Sequence, residues 1–148
     1  MPSKYQDSRA NLYPLIHPAS VAVFGVSRHR KNVGAQLLEN YQKLISDHSK
    51  VFAATTGEPV GDQQSLSQMQ KVDLAVVALP KRRVLDVVNQ LTALDKARAI
   101  QVVSGGFEEF GDRTLRDAAR SAKIPIQGSN VVGNVVDGEN LTFMHFHP

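Results

Sequence analysis

The architecture of this chain depends on residues 21–34, which read VAVFGVSRHRKNVG. The apolar run that ends at Phe24 is typical of a β-strand buried on both faces, and Gly25 terminates it. From Val33 onward the apolar residues recur at the spacing of one face of an α-helix. These residues therefore predict a buried strand that enters a helix through a basic loop containing glycine.

The loop between this strand and this helix admits two interpretations. A helix N-terminus offers free backbone N–H groups and the positive end of the helix dipole, so a strand, a loop and a helix in succession often bind phosphate. However, Gly25 and Gly34 do not form the G-x-G-x-x-G fingerprint, and the Gly-Lys-Ser/Thr ending of a P-loop is missing. The loop alone fits either a phosphate site or a tight turn whose basic side chains are solvated.

The composition narrows the class of protein. The 148 residues are 42% hydrophobic and 21% charged, so we expect one domain over residues 1–148 with a polar lead-in at residues 1–11. The net charge of +3 suits a small anionic ligand and is too weak to indicate nucleic acid. The absence of cysteine excludes disulfides and thiolate metal sites, and no apolar run has the length of a signal peptide or a membrane span. We therefore expect a cytoplasmic protein with no membrane or nucleic-acid partner.

Apolar runs alternate with helical patterns along the rest of the chain. Four further strands are predicted, at residues 50–55, 73–79, 99–103 and 124–126. Helices are predicted after Pro80, after Asp112 as a cap, and briefly at residues 66–70, and an extended tail is predicted from residue 135. Strands alternating with helices are typical of a doubly wound α/β domain with a mainly parallel sheet, here of about five strands.

Small or polar residues follow each predicted strand, at the edge where such folds bind ligands. They are Gly25 and Ser27, Thr55 and Thr56, Ala78 with Leu79 and Pro80, residues 104–106 and residues 128–130. Two basic clusters fall on the same edge, one of Arg28, Arg30 and Lys31 and one of Lys81, Arg82 and Arg83. Cations at a helix N-terminus oppose the dipole, so a polyanionic ligand would account for them, and solvated, screened side chains are the alternative.

An NAD site is the competing nucleotide hypothesis. It requires an acidic residue at the end of the second strand to hold the ribose hydroxyls, and this chain has Thr55 or Thr56 there. No G-x-S-x-G elbow is present, the five histidines have no partner at a recognisable spacing, and His145-x-His147 offers a metal only two ligands. We therefore predict no catalytic residue and no metal site.

Four motifs along the chain resemble one known family. They are LIHPASVAVFGVS at residues 15–27, DLAVVALP at residues 73–80, VSGGFEEFG at residues 103–111 and GSNVVG at residues 128–133. Their order and spacing are similar to those of the CoA-binding domain of NDP-forming acyl-CoA synthetases, relatives of the succinyl-CoA synthetase α subunit, over residues 12–144. The resemblance implies a Rossmann-like domain that holds coenzyme A or an acyl-CoA, as part of an acid–thiol ligase or as a stand-alone CoA-binding protein.

Carried over position by position, the CoA contacts of the family fall at the ends of the predicted strands. They are Gly25, Ser27, Arg28, Thr55, Thr56, Ala78, Leu79, Pro80, Val103, Ser104 and Asn130, and the basic loop adds Arg30 and Lys31. The diphosphate and the 3′-phosphate of CoA suit this basic edge. The chain departs from the pattern of the family by Ser129 in place of a proline, by Thr55-Thr56 in place of Asn-Pro and by its more basic first loop.

The resemblance also implies functional parts that these residues do not carry. The phosphorylated histidine and the ATP-grasp site lie in later domains of the family, so we expect no ligase reaction from this chain alone. The expected partners are CoA or acyl-CoA and, among proteins, the remaining ligase domains, an ATP-grasp subunit or a second copy of the chain. The alternatives are an NAD(P)-binding domain of an oxidoreductase or redox sensor, and a scaffold domain without cofactor.

Overall fold

Six parallel strands form the main sheet. The computed structural model describes residues 12–106, 109–136 and 139–142. The strands are β1 (Val21–Phe24), β2 (Val51–Thr55), β3 (Gln64–Ser65), β4 (Val72–Val77), β5 (Ala97–Val102) and β6 (Ile126–Gln127), and their order across the sheet is β3-β2-β1-β4-β5-β6. All neighbouring pairs are parallel. This is the strand order of a Rossmann fold, which confirms the predicted doubly wound α/β architecture.

The main helices lie between the strands along the chain, as the alternating pattern predicts. Residues 12–16 form a short helix, α1, and the longer helices are α2 (Val33–Leu44), α3 (Lys81–Ala93) and α4 (Glu109–Ala122). A 3-10 turn spans His48–Lys50, and β7 (Gly133–Val136) pairs with β8 (Glu139–Thr142) as an antiparallel hairpin. The predicted His145-x-His147 pair lies outside the described residues. Of the helices in the described part of the chain, none has the length and apolar character to cross a membrane.

The strand β1 is buried on both faces because its alternate side chains enter two hydrophobic clusters. Val21 and Val23 belong to the cluster that contains the inner face of α2. Ala22 and Phe24 belong to the cluster that contains the inner faces of α3 and α4. All four side chains are fully excluded from solvent, and this explains why the strand has no polar position.

Two local predictions from the sequence are wrong. Residues 66–70 form a turn rather than a short helix, because the N–H groups of Gln68 and Met69 both donate to the Ser65 carbonyl, at 3.1 and 2.9 Å, and close only one turn. The buried side chain of Leu66 ties this turn to the core, and the two residues before it form the unpredicted strand β3. Asp112 does not cap α4, since that helix begins at Glu109.

The connections from β1 and β4 diverge at the centre of the sheet. β1 pairs with β2 on one side and with β4 on the other. The chain therefore leaves β1 toward one half of the sheet and leaves β4 toward the other half. At such a switch point the loops separate and leave a crevice outside the carboxyl ends of the strands, where open α/β sheets bind ligands.

Candidate functional site

The loop after β1 lies directly against the end of β4. Gly25 has a φ of +97°, a left-handed conformation that glycine adopts without strain, and a Cβ on it would overlap the Ala78 carbonyl oxygen. At Gly34, in the first turn of α2, a Cβ would lie 2.5 Å from the Gly25 carbonyl oxygen. Both glycines are therefore needed for the close packing of the loop, the strand end and α2.

Asn32 closes the same loop from within. Its Nδ2 donates to the Gly25 carbonyl at 2.7 Å. Its Oδ1 accepts from the N–H groups of Ser27 at 3.2 Å and Ala35 at 2.9 Å, and the second of these bonds makes Asn32 the N-cap of α2. One side chain thus caps the helix and bridges both ends of the loop, so hydrogen-bonding groups that a ligand could have used are satisfied within the chain.

The N-terminus of α3 is open by comparison. Its N-cap is Pro80, which makes no side-chain capping bond, and its first turn contains no acidic residue. The side chains of Lys81, Arg82 and Arg83 in that turn are exposed. The backbone N–H groups at the start of α3 and these three cations together produce a positive region at the carboxyl end of β4.

A cleft of about 510 Å³ borders this open helix terminus. It is lined by the ends of β4 and β5 and by the start of α2, through Asn32, Val33, Ala78, Leu79, Pro80, Lys81, Val103, Ser104 and Gly105. Most of these side chains are aliphatic or small, and the charged one, Lys81, donates through Nζ to the Gly106 carbonyl at 3.2 Å. The volume falls within the range of roughly 300–1,000 Å³ that is typical of small-molecule sites.

A smaller cavity of about 140 Å³ lies between the ends of β1 and β2 and the start of α3. It is lined by Phe24, Gly25, Val26, Ala54, Thr55, Thr56, Gln63, Leu79 and Arg83. Leu79 also lines the large cleft, so the two spaces adjoin along the carboxyl edge of the sheet. Together, the large cleft and the small cavity therefore extend from the end of β2 to the end of β5.

Two arginines from different elements reach the segment that follows β2. Arg83 Nη2 donates to Thr56 Oγ1 at 3.1 Å and ties the first turn of α3 to the end of β2. The Arg28 guanidinium lies so close to Gly61 that a Cβ on that glycine would overlap it. Basic side chains from the β1 loop and from α3 therefore converge on residues 56–63.

Ser104 lines the large cleft at the end of β5, and Asn130 bonds to it from the neighbouring loop. The Ser104 hydroxyl donates to the Leu79 carbonyl, and the Asn130 N–H donates to the Ser104 carbonyl at 2.9 Å. The Asn130 Oδ1 lies 2.5 Å from the position that a Cβ of Gly105 would occupy. A side chain at Gly105 would displace Asn130, so the glycine allows the two loops to meet.

Lys31 forms an ion pair within α2 and its preceding loop. Its Nζ lies 2.8 Å from Glu39 Oε2, and Lys43 approaches the other carboxylate oxygen at 3.2 Å. The hydrogen bond from Lys31, followed by that from Lys43, holds the pKa of Glu39 below its usual value. The charge of Lys31 is therefore partly neutralised by a carboxylate, whereas Arg30 is exposed in the same loop.

The structure brings most of the predicted site residues to one edge. Those that line the two cavities are Gly25, Thr55, Thr56, Ala78, Leu79, Pro80, Val103 and Ser104. Ser27, Arg28, Arg30, Lys31 and Asn130 lie in the surrounding loops. The lining also contains residues absent from the predicted CoA contacts, namely Phe24, Val26, Asn32, Val33, Ala54, Gln63, Lys81, Arg83 and Gly105. An asparagine directly before a helical pattern is a recognisable capping signal, whereas the position of Arg83 depends on a contact distant in sequence.

Comparison with known proteins identifies relatives of this chain. Residues 19–136 match the family model described as CoA binding domain. The chain is 32% identical over 142 residues to a trans-feruloyl-CoA synthase from an unknown prokaryotic organism, a match that covers 88% of this chain and 20% of that protein. It is 28% identical over 145 residues to the ADP-forming acetate–CoA ligase I of Archaeoglobus fulgidus, with 90% of this chain and 21% of that protein covered.

A solved structure shares the same arrangement. The dinucleotide-forming acetyl-coenzyme A synthetase 1 of Candidatus Korarchaeum cryptofilum, in complex with phosphate and ADP, matches with a TM-score of 0.74 and 26% identity. The match covers 89% of this chain and 30% of that one. The chain thus spans only 20% and 21% of the length of the two curated relatives and corresponds to one part of much longer proteins.

Proposed function

This chain belongs to the CoA binding domain family, and from that membership we propose that it binds coenzyme A or an acyl-CoA at the carboxyl edge of its sheet. Residues 1–148 would act as one CoA-binding domain. The observation that carries the proposal is the cleft of about 510 Å³ beside the uncapped N-terminus of α3. The cleft combines an aliphatic lining with a positive rim, and CoA combines an uncharged pantetheine arm with a diphosphate.

The start of α3 is the proposed position of the diphosphate. Helix N-termini bind phosphates because their N–H groups and the helix dipole both favour negative charge. The Pro80 cap leaves those N–H groups without a competing side chain, and Lys81 adds a cation at the rim of the cleft. The pantetheine arm would then lie along the aliphatic lining at Val33, Leu79 and Val103.

The chain would serve as the CoA-binding domain or subunit of an NDP-forming acyl-CoA synthetase, or as a stand-alone CoA-binding protein. The names of its relatives, a trans-feruloyl-CoA synthase and an acetate–CoA ligase, support the first role. By itself the chain should form no thioester when it is incubated with ATP, a carboxylic acid and CoA. Robust turnover by the purified chain would contradict this part of the proposal.

Calorimetric titration with CoA, acetyl-CoA, NAD and ATP tests the choice of ligand. We expect saturable binding of CoA and acetyl-CoA. Saturable binding of NAD without binding of CoA would overturn the proposal in favour of a dinucleotide-binding domain. A folded protein that binds none of the four would favour a scaffold domain.

A pair of substitutions on one helix tests the location of the site. Val33→Glu places a carboxylate in the lining of the cleft at a position that is already 37% exposed, so the fold should persist. It should weaken CoA binding about tenfold or more, because the carboxylate repels the phosphates and loses its hydration when CoA covers it. Leu44→Glu, at the other end of α2 and 42% exposed, is the matched control and should leave affinity unchanged. Equal affinities in both variants would place the ligand elsewhere.

A further inference from the structure

The end of β2 is where a Rossmann fold recognises the ribose of a nucleotide. An acidic residue there holds free ribose hydroxyls, whereas an arginine nearby accommodates a phosphate on the ribose. In this chain Thr55 and Thr56 occupy that position, and both line the small cavity. The acidic residues of the following loop, Glu58 and Asp62, are exposed and do not contribute to the lining. The small cavity therefore presents hydroxyl groups and no carboxylate.

Arg83 brings a cation to this position from the first turn of α3. Its Nη2 donates to Thr56 Oγ1 at 3.1 Å, across 27 residues of sequence, and its side chain lines the small cavity. A guanidinium carries several N–H donors in one plane, so it can hold Thr56 and a phosphate oxygen at the same time. The bond to Thr56 thus fixes the guanidinium beside the space where a ribose would lie.

The size of the small cavity fits one compact group rather than a whole ligand. Its volume of about 140 Å³ is well below the roughly 300–1,000 Å³ of sites that enclose complete small molecules. Besides Arg83, its polar side chains are those of Thr55, Thr56 and Gln63. A cation, two hydroxyls and an amide can all donate hydrogen bonds to phosphate oxygens.

We infer that Arg83, positioned by Thr56, makes the end of β2 a subsite for a phosphorylated ribose and so selects CoA over dephospho-CoA. The inference rests on the proposed function and names the residue that discriminates among adenine nucleotides. With the diphosphate at the start of α3 and the pantetheine arm in the large cleft, the nucleoside extends past Leu79 toward the small cavity. NAD, whose ribose hydroxyls carry no phosphate, leaves Arg83 without an anionic partner.

The test measures the affinities of CoA and dephospho-CoA for the wild-type chain, for Arg83→Met and for Arg82→Met. Arg82 is the matched control because it is an exposed arginine in the same helical turn that does not line the small cavity. Wild-type protein should bind CoA about tenfold or more tightly than dephospho-CoA, as a charge-assisted bond to phosphate predicts. Arg83→Met should bring this ratio close to one by weakening CoA alone, and Arg82→Met should preserve it. Adenosine 3′,5′-bisphosphate and AMP should show the same contrast without the pantetheine arm.

The outcomes separate this inference from the proposed function. A ratio that Arg83→Met leaves unchanged would overturn the inference while CoA binding stands. Equal weakening of both ligands by Arg83→Met would also overturn it and would assign Arg83 to the diphosphate. Wild-type protein that binds both ligands with equal affinity would refute the selectivity, and wild-type protein that binds neither would overturn the proposed function and the inference with it.

Discussion

The two helices α2 and α3 both begin at the carboxyl edge of the sheet, but their N-termini are capped differently. At α2 the loop is closed: Asn32 caps the helix, bonds both ends of the loop, and Gly25 packs on the end of β4. At α3 the cap is Pro80, which makes no side-chain capping bond, and the large cleft, which the start of α2 also lines, lies alongside. The basic loop of α2 is the more conspicuous in the sequence, yet of these two N-termini it is that of α3 that lacks a side-chain cap.

The comparison shows that a capping side chain takes up a backbone N–H group that would otherwise be available to a ligand. Asn32 shows how one amide side chain takes over that role inside the protein. The start of α2 is thus held by its own cap and by close packing, whereas the start of α3 makes no side-chain capping bond. Substitutions at either helix N-terminus test this difference.

The largest expected effect is on the closed end, at Gly25. Gly25→Ala places a Cβ on the Ala78 carbonyl oxygen at a φ of +97°. Left-handed strain and overpacking together should lower the free energy of unfolding by about 3 kcal/mol or more. Urea denaturation measures the loss. Gly57→Ala is the control, because its nearest neighbour is a side-chain oxygen 3.8 Å away, and it should change stability by less than about 0.5 kcal/mol.

The next effect concerns the cap that closes α2. Asn32→Ala removes three hydrogen bonds and leaves the Gly25 carbonyl in need of a new partner. We expect a loss of about 2 kcal/mol in the free energy of unfolding, at the upper end of the range for a lost N-cap. Thermal or urea unfolding provides the measurement. Asn89→Ala, at an exposed position inside α3, removes the same side chain and should leave stability nearly unchanged or slightly higher. Equal losses from both substitutions would show that Asn32 has no special role.

The open end can be closed by substitution of Pro80. Pro80→Asp supplies a capping carboxylate to α3, and Pro80→Ala controls for the loss of the proline ring. The aspartate variant should be about 1 kcal/mol more stable than the alanine variant, because it caps the helix and complements its dipole. It should also bind CoA about tenfold more weakly, because its carboxylate occupies the place of the phosphates. Equal CoA affinities would mean that α3 does not meet the diphosphate.

A smaller effect is expected at Lys31. Lys31→Met should weaken CoA binding less than Arg28→Ala, because the ammonium of Lys31 pairs with Glu39 whereas the Arg28 guanidinium lies beside Gly61. Side-by-side titration of the two variants makes the comparison. A greater loss in Lys31→Met would mean that the lysine leaves Glu39 for the ligand.

The same pair predicts a small pH dependence of stability. Because the pKa of Glu39 is lowered in the folded chain, chiefly by its bond with Lys31, the pair stabilises the fold above the pKa of an unfolded glutamate. That contribution disappears as the pH falls through the lowered pKa. Since both side chains are exposed, the effect should be slight. Melting curves of wild type and Glu39→Gln should approach one another on the acid side and differ slightly near neutral pH.

The main features of the fold could be predicted from local patterns. The apolar run ending at Phe24 and the helical spacing after Val33 are both set by burial, and burial leaves a periodicity that is visible in the sequence. The alternation of such units indicated the parallel sheet. In contrast, β3 has only two residues, and its neighbouring turn is held by Leu66 and Met69 in the core. A segment this short has no period to read, so the predicted helix at residues 66–70 was wrong.

The candidate site, like the fold, could be predicted from the sequence only in part. The sequence alone determined which residue types gather at the carboxyl edge, because in a parallel sheet every strand ends at that edge and small or basic residues follow each strand here. The residue types alone did not show which side chains would meet, and the folded chain joins Arg83 with Thr56, Arg28 with Gly61, and Lys31 with Glu39. The physical reason is that a long cationic side chain can turn to several partners within reach, and the packing of distant segments determines which partner is near.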